Sequence, residues 1–218
     1  TYTYQWVMDG STVAEMTTDS VPAGLTQRDQ YWEVVVTPSD AFHDGDPGTD
    51  SVTIGNSPPR IDSVNLYPLT ATTVDDLVAL PLGWFDQDLD PELYQYEWII
   101  NGDIDEDETT DTYPNGKTSK GDNIRVTVTP LDAFEAGEPI TSSLLTILNS
   151  PPAGGEADIT PDIAEPLEPL VCSIVESAWD VDDDAITYSY TWYIDGVEQP
   201  EYTTDVVEEG ETANLETW

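Results

Sequence analysis

Two acidic stretches carry the side chains best placed for chemistry. "DQDLD" sets Asp86, Asp88 and Asp90 at alternate positions, and "DVDDD" does the same with Asp180, Asp182 and Asp184. Three carboxylates spaced in this way along a turn converge on one cation and repel one another without it. Their hard anionic oxygens suit Ca²⁺, which accepts roughly six to eight oxygen ligands in flexible geometry. An EF-hand is the first form to test, because Glu97 falls at its twelfth position. It fails, since Pro91 stands where the loop needs glycine and Thr191 stands where the second copy needs that glutamate. The plain alternative is that these aspartates are solvated turn residues, as aspartate commonly is.

Other chemistry has little to stand on. His43 is the one histidine, in "AFHDGD", whose counterpart further along is "AFEAGE", so it reads as a loop residue and not a base. No serine or thiol nucleophile sits in a recognisable constellation, and nothing selects one carboxylate pair as glycosidase-like. The chain therefore reads as a non-enzyme.

What must position the acidic stretches is a repeat. "YTYQWVMDG" at 2–10 returns as "YQYEWIING" at 94–102 and "YSYTWYIDG" at 188–196, spacings of 92 and 94 residues. "TPSDAF" at 37–42 returns as "TPLDAF" at 129–134, and "NSPP" at 56–59 returns at 149–152. A period of about 93 residues is too long for a solenoid unit and normal for an independent domain.

Inside each unit the hydrophobic period is two, the signature of strands. Tyr94, Tyr96, Trp98 and Ile100 alternate with Gln95, Glu97 and Ile99, and the aromatic face is expected to be core. Asn101-Gly102, Asp9-Gly10 and Asp195-Gly196 then supply the positive φ angles of tight hairpins. Ile124, Val126 and Val128 alternate likewise, and Leu144 to Leu148 reads as a final strand. No segment has helical spacing. The fold class is all-β, tandem Ig-like antiparallel sandwiches with a core tryptophan on the third strand. The expected boundaries are 1–56 for the C-terminal part of one repeat, 57–149 for a complete repeat and 150–218 for the N-terminal part of a third. The chain reads as a window on a longer array.

The succession "NSPP", a strand, "W-x-D-x-D-x-D", "Y-x-Y-x-W-x-x-[DN]-G" and "V-T-P-x-D" resembles the tandem Ig-like or PKD-like repeats of very long secreted prokaryotic surface proteins. The resemblance covers the whole chain. It implies a structural or adhesive role at the cell surface or outside the cell, as a stalk or filament whose partners are neighbouring repeats and, through self-association, other chains in fibres. The runner-up is an accessory module that binds a glycan or matrix ligand.

Ig topology adds ligands to the acidic loops. The loop after the sixth strand shares an end with the loop after the second, so Asp132 of "TPLDAF" is expected to approach Asp86, Asp88 and Asp90. The linker brings Asn56 to that end. Asn149 is expected to join Asp180, Asp182 and Asp184 in the same way, and Asp40 is the corresponding ligand of the first copy. Each junction thus becomes a candidate calcium site that would stiffen the string. Cys172, the one cysteine, aligns with Ala79 on the second strand, opposite sixth-strand positions Val34 and Val126. The equivalent position in the third copy falls two places beyond Trp218. Cys172 is therefore either an ordinary small core hydrophobe or half of an inter-sheet disulfide with a cysteine there, which implies an oxidising compartment.

Composition closes the exclusions. With 45 Asp and Glu against 5 Lys and Arg, the formal charge is -40, which repels nucleic acid and anionic membrane. Hydrophobic content of 38%, with seven Trp and eleven Tyr, suffices for packed cores. No run of about 18 apolar residues offers a membrane span. Acidity also fits a saline medium, where repulsion is screened. "DIDEDE" at 103–108 and "EEGE" at 208–211 fit that explanation better than calcium, because they vary between copies.

Overall fold

The computed structural model describes residues 1–165, 167–212 and 217–218. In the first repeat copy the strands are β1 (Tyr2–Met8), β2 (Ser11–Thr12), β3 (Tyr31–Pro38) and β4 (Gly48–Thr53). The second copy supplies β5 (Ser63–Tyr67), β6 (Ala71–Thr72), β7 (Leu77–Leu82), β8 (Leu93–Ile100), β9 (Asp103–Asp105) and β10 (Thr112–Tyr113). It continues with β11 (Asn123–Leu131), β12 (Ile140–Thr141) and β13 (Leu145–Leu148). The third holds β14 (Glu156–Thr160), β15 (Leu170–Glu176), β16 (Trp192–Ile194), β17 (Val197–Gln199) and β18 (Val206–Val207). The helical content described is two single 3₁₀ turns, at Ala23–Leu25 and Asn115–Lys117. The chain is all-β, built of Ig-like antiparallel sandwich repeats.

These elements form two compact units. One comprises Thr1–Thr70, Asp76–Pro114 and Asn123–Leu145; the other comprises Ala71–Asp75, Asn115–Asp122 and Thr146–Trp218.

In the first unit, β2, β1, β3 and β4 make an antiparallel sheet in that order. A sheet of β10, β7 and β5 faces another in which β9, β8, β11 and β12 are successive antiparallel neighbours. The period of two decides which residues enter the space between them. Val64 and Leu66 from β5, Leu77 and Ala79 from β7, Trp98 from β8 and Ile124, Val126 and Val128 from β11 are all buried. Trp98 is fully buried and lies 5.1 Å, centroid to centroid, from the Tyr113 ring. Tyr94, Tyr96 and Ile100 of the same face are half-buried.

The second unit contains the parallel pair β6 and β13, the sheet β14, β15, β18 and the hairpin β16, β17. Its described core gathers Leu170, Trp192 and Val207, with Ile159, Cys172, Tyr202 and Trp218 packed against them.

One local device recurs in all three copies. The hairpin residues Asp9, Asn101 and Asp195 have φ of 47°, 53° and 48°, each followed by a glycine at positive φ, so the turn closes in two residues. Each turn side chain then accepts the N–H of a residue 22 positions on, Tyr31, Asn123 or Thr217, at 2.8, 2.9 and 3.0 Å. Each tryptophan indole donates to a carbonyl twelve positions on: Trp6 to Thr18, Trp98 to Thr110 and Trp192 to Thr204, at 2.9, 3.0 and 2.9 Å. A buried indole N–H needs such an acceptor. These bonds fasten each hairpin to the chain that follows it.

Candidate functional site

The acidic loop of the second copy follows β7 and precedes β8. Within it Asp86 is buried, and its Oδ1 accepts the backbone N–H groups of Asp88 at 2.7 Å and Asp90 at 3.1 Å. This closes the loop on itself and sends the next two aspartates outward to other elements. Asp88 grips backbone: Oδ1 accepts the N–H of Arg28 at 2.7 Å, and Oδ2 accepts that of Ser57 at 2.8 Å. Asp90 receives the guanidinium of Arg28 on both oxygens, Nη2 at 3.0 Å on Oδ1 and Nη1 on Oδ2.

The rest of the site comes from the linker and from the loop after β11. Arg28 Nη1 also donates to Asn56 Oδ1 at 2.8 Å, and Asn56 Nδ2 donates to Asp132 Oδ2 at 2.9 Å. Asp132 is buried; its Oδ1 accepts the N–H groups of Phe134 and Glu135, both at 2.6 Å, which holds its loop closed. The Arg28 guanidinium lies 3.8 Å above the Phe134 ring, a stacking that a planar cation favours. Asp132 and Asn56 thus come to the acidic loop as the topology requires. Carboxylate oxygens of Asp86, Asp90 and Asp132 lie within 4.8 Å of one another; Asp88 is not in that cluster, because both its oxygens are turned to the backbone.

The third copy repeats this arrangement with different side chains. Asp180 Oδ1 accepts the N–H groups of Asp182 at 2.8 Å and Asp184 at 3.3 Å. Asp182 Oδ2 accepts the N–H of Ser150 at 2.7 Å, as Asp88 does that of Ser57. Asp184 receives the Lys120 ammonium at 2.5 and 2.6 Å, and Lys120 also donates to Asn149 Oδ1 at 3.0 Å. Asp180, Asp182 and Asp184 form the second cluster with ligand oxygens within 4.8 Å. Asp40 belongs to neither; its Oδ1 closes the first copy's own loop by accepting the N–H groups of Phe42 and His43 at 2.7 and 2.8 Å.

Electrostatics follow these contacts. Burial pushes the Asp88 carboxyl up, but the N–H groups of Arg28 and Ser57 and the Arg28 charge outweigh it, leaving it below its usual 3.8. For Asp132 burial is likewise overcome, by Asn56, the N–H groups of Glu135 and Phe134, and Arg28. Asp184 holds the Lys120 ammonium above its usual 10.5 by hydrogen bond and charge, with Asp182 and Asp180 adding to it. Arg28 is raised by its bond to Asp90.

The two basic residues are what inspection of the sequence did not single out. The signal was present: Arg28 in "GLTQR" and Lys120 in "GKTSK" occupy the same place in the repeat, 92 residues apart, in a chain with only 5 Lys and Arg. Their partners lie 62 and 64 residues further on, beyond the reach of local pattern.

Cys172 is a half-buried free thiol that pairs in register with Ile159, as Ala79 pairs with Leu66. With Ile174, Tyr188, Tyr190 and Trp192 it lines a cleft of 360 Å³. In the second copy β11 packs across from β5; no described strand of the third copy takes that place. The disulfide partner expected after Trp218 lies outside the sequence. Among the remaining aromatics, Tyr113 is core, Trp84 stacks edge-on against Tyr94 at 5.6 Å, and Tyr67 is exposed. No helix among the described residues is long and apolar enough to cross a membrane.

No protein-family model and no curated protein sequence matches the chain. Among solved structures it is similar to the chicken CNTN1 FN1-FN3 domains, at 11% sequence identity and a TM-score of 0.35. The match covers 79% of this chain and 65% of that one. The Ig-like assignment rests on the strand pairing described above.

Proposed function

We propose that this chain is a segment of a structural or adhesive surface protein of prokaryotic type, acting outside the cell as part of a stalk or filament of tandem Ig-like repeats. The carrying observation is the doubly built junction. In both instances the acidic loop of one repeat grips the linker backbone, at Ser57 or Ser150, and a basic side chain of the preceding repeat, Arg28 or Lys120. A repeat that evolved only to present a binding loop has no need to fasten its neighbour twice over in the same way. The excess of carboxylates over basic groups at each junction supports the calcium reading, in which a bound ion stiffens the string. With repeats taken to begin at the expected boundaries of 57 and 150, both fastenings fall at seams.

Thermal unfolding tests this reading, in calcium, in chelator and in sodium chloride of matched ionic strength. Calcium is expected to raise the melting temperature beyond what sodium chloride does, as a ligand that binds only the folded state must. Equal effects of the two salts would show that the acidity is a salt adaptation alone. Labelling of intact producing cells with an antibody to this chain tests the location; label confined to the cell interior refutes it.

A further inference from the structure

The two acidic junctions are built alike and satisfied differently. At the first, Asp86 is 5% exposed, its Oδ1 is taken by two backbone N–H groups, and its Oδ2 is buried with no hydrogen-bond partner. A carboxylate oxygen left in that state forfeits its hydration with nothing in return, a cost that an ion at the site removes. Arg28 does not supply the need, because its planar fork is spent on Asp90, Asn56 and the Phe134 face. Asp90 and Asp132 bring oxygens within 4.8 Å of Asp86, and a carboxylate oxygen engaged in one hydrogen bond retains a further lone pair.

At the second junction the chain brings its own cation. Lys120 presents a compact ammonium to both oxygens of Asp184, a point charge that sits where a metal would. No oxygen of Asp180, Asp182 or Asp184 is buried and without a partner. The three are half-buried or exposed, so water serves whatever Lys120 does not.

We propose that the first junction is a divalent-cation site of the calcium class, made by Asp86, Asp90 and Asp132 with Arg28 bracketing Asp90, whereas at the second the Lys120 ammonium is the resident cation that a divalent ion must displace. This rests on the calcium reading above and divides it between the junctions. Oxygen-only ligands in a loop favour Ca²⁺ over Mg²⁺, which demands a tighter octahedron.

Calorimetric titration of the 218-residue chain with CaCl₂, at constant ionic strength, decides it. One tight binding event is expected, weakened about tenfold or more by Asp86→Asn, and a second of similar strength is expected to appear in Lys120→Met. Hydrogen exchange keeps the test sharp if a variant folds poorly: in the unaltered chain, calcium is expected to slow exchange at residues 84–92 and 130–137 and not at 178–186. Two equal events with protection at both loops would overturn the division while leaving the calcium reading in place. A single event indifferent to Asp86→Asn would overturn the assignment. No binding at all would sink both.

Discussion

Replacing Asp88 with alanine isolates the backbone grip from any ion, because Asp88 is the one aspartate of its loop that touches neither a basic side chain nor the oxygen cluster. It holds two N–H groups, those of Arg28 at 2.7 Å and Ser57 at 2.8 Å, on separate oxygens. A hydrogen bond to a charged group contributes about 1.5–3 kcal/mol. The site is half-buried, so water recovers part of each freed donor, and the low end applies. Asp88→Ala is therefore expected to cost about 2–3 kcal/mol, and Asp88→Asn, which keeps one acceptor, about 1–1.5 kcal/mol. Because the chain forms two compact units, one global melting value would blur this. Amide exchange at Arg28 and Ser57 reads it directly: about 2 kcal/mol corresponds to exchange faster by about 30-fold, with amides of β15 unaffected. Unchanged exchange at both amides, with stability within about 0.5 kcal/mol of the parent, would refute the idea that this loop fastens the linker.

The pH dependence follows from the same groups. Asp88 and Asp132 have folded pKa values depressed below 3.8, so their stabilisation is fully present above the unfolded value and is lost as pH falls through the folded ones. Urea unfolding is expected to show no pH dependence from them between pH 5 and 8, where their stabilisation is complete, and a decline below 3.8 that is shallower in Asp88→Asn. Lys120 is raised above 10.5; its contribution is present below that value and fades as pH rises through the folded one, a decline that Lys120→Met should abolish. Gly137→Ala would drive its new methyl into the backbone carbonyl of Pro59, far inside contact distance. A loss of about 1–3 kcal/mol is expected in chemical denaturation, and a neutral result would refute the close approach of linker and loop. Trp98→Ala should cost about 3–5 kcal/mol, whereas Trp98→Phe, which mainly loses the bond to Thr110, should cost about 1 kcal/mol beyond the change in packing; the same two-step comparison by denaturation separates cavity from hydrogen bond.

Period and turn chemistry are local, and the sequence alone determined what they control. The alternation of Tyr94, Tyr96 and Trp98, the hairpin at Asn101-Gly102 and its two sister turns, and the sandwich class all follow from residues within a dozen positions of one another. Repetition extended that reach by one step: Asp132 and Asn56 were placed beside the acidic loop because Ig connectivity fixes which loops share an end. Tertiary structure alone decided how each aspartate is spent. Asp86, Asp88 and Asp90 are equivalent as a spacing, yet one closes its own loop, one grips backbone and one pairs with Arg28, because Asp86 meets the N–H groups of its own loop whereas Asp88 and Asp90 meet donors brought from other elements. Lys120 and Arg28 were invisible as partners for the same reason. An ion pair spanning about sixty residues leaves no local pattern, and it forms only when the linker, the basic side chain and the acidic loop have all been packed to one end of the sandwich.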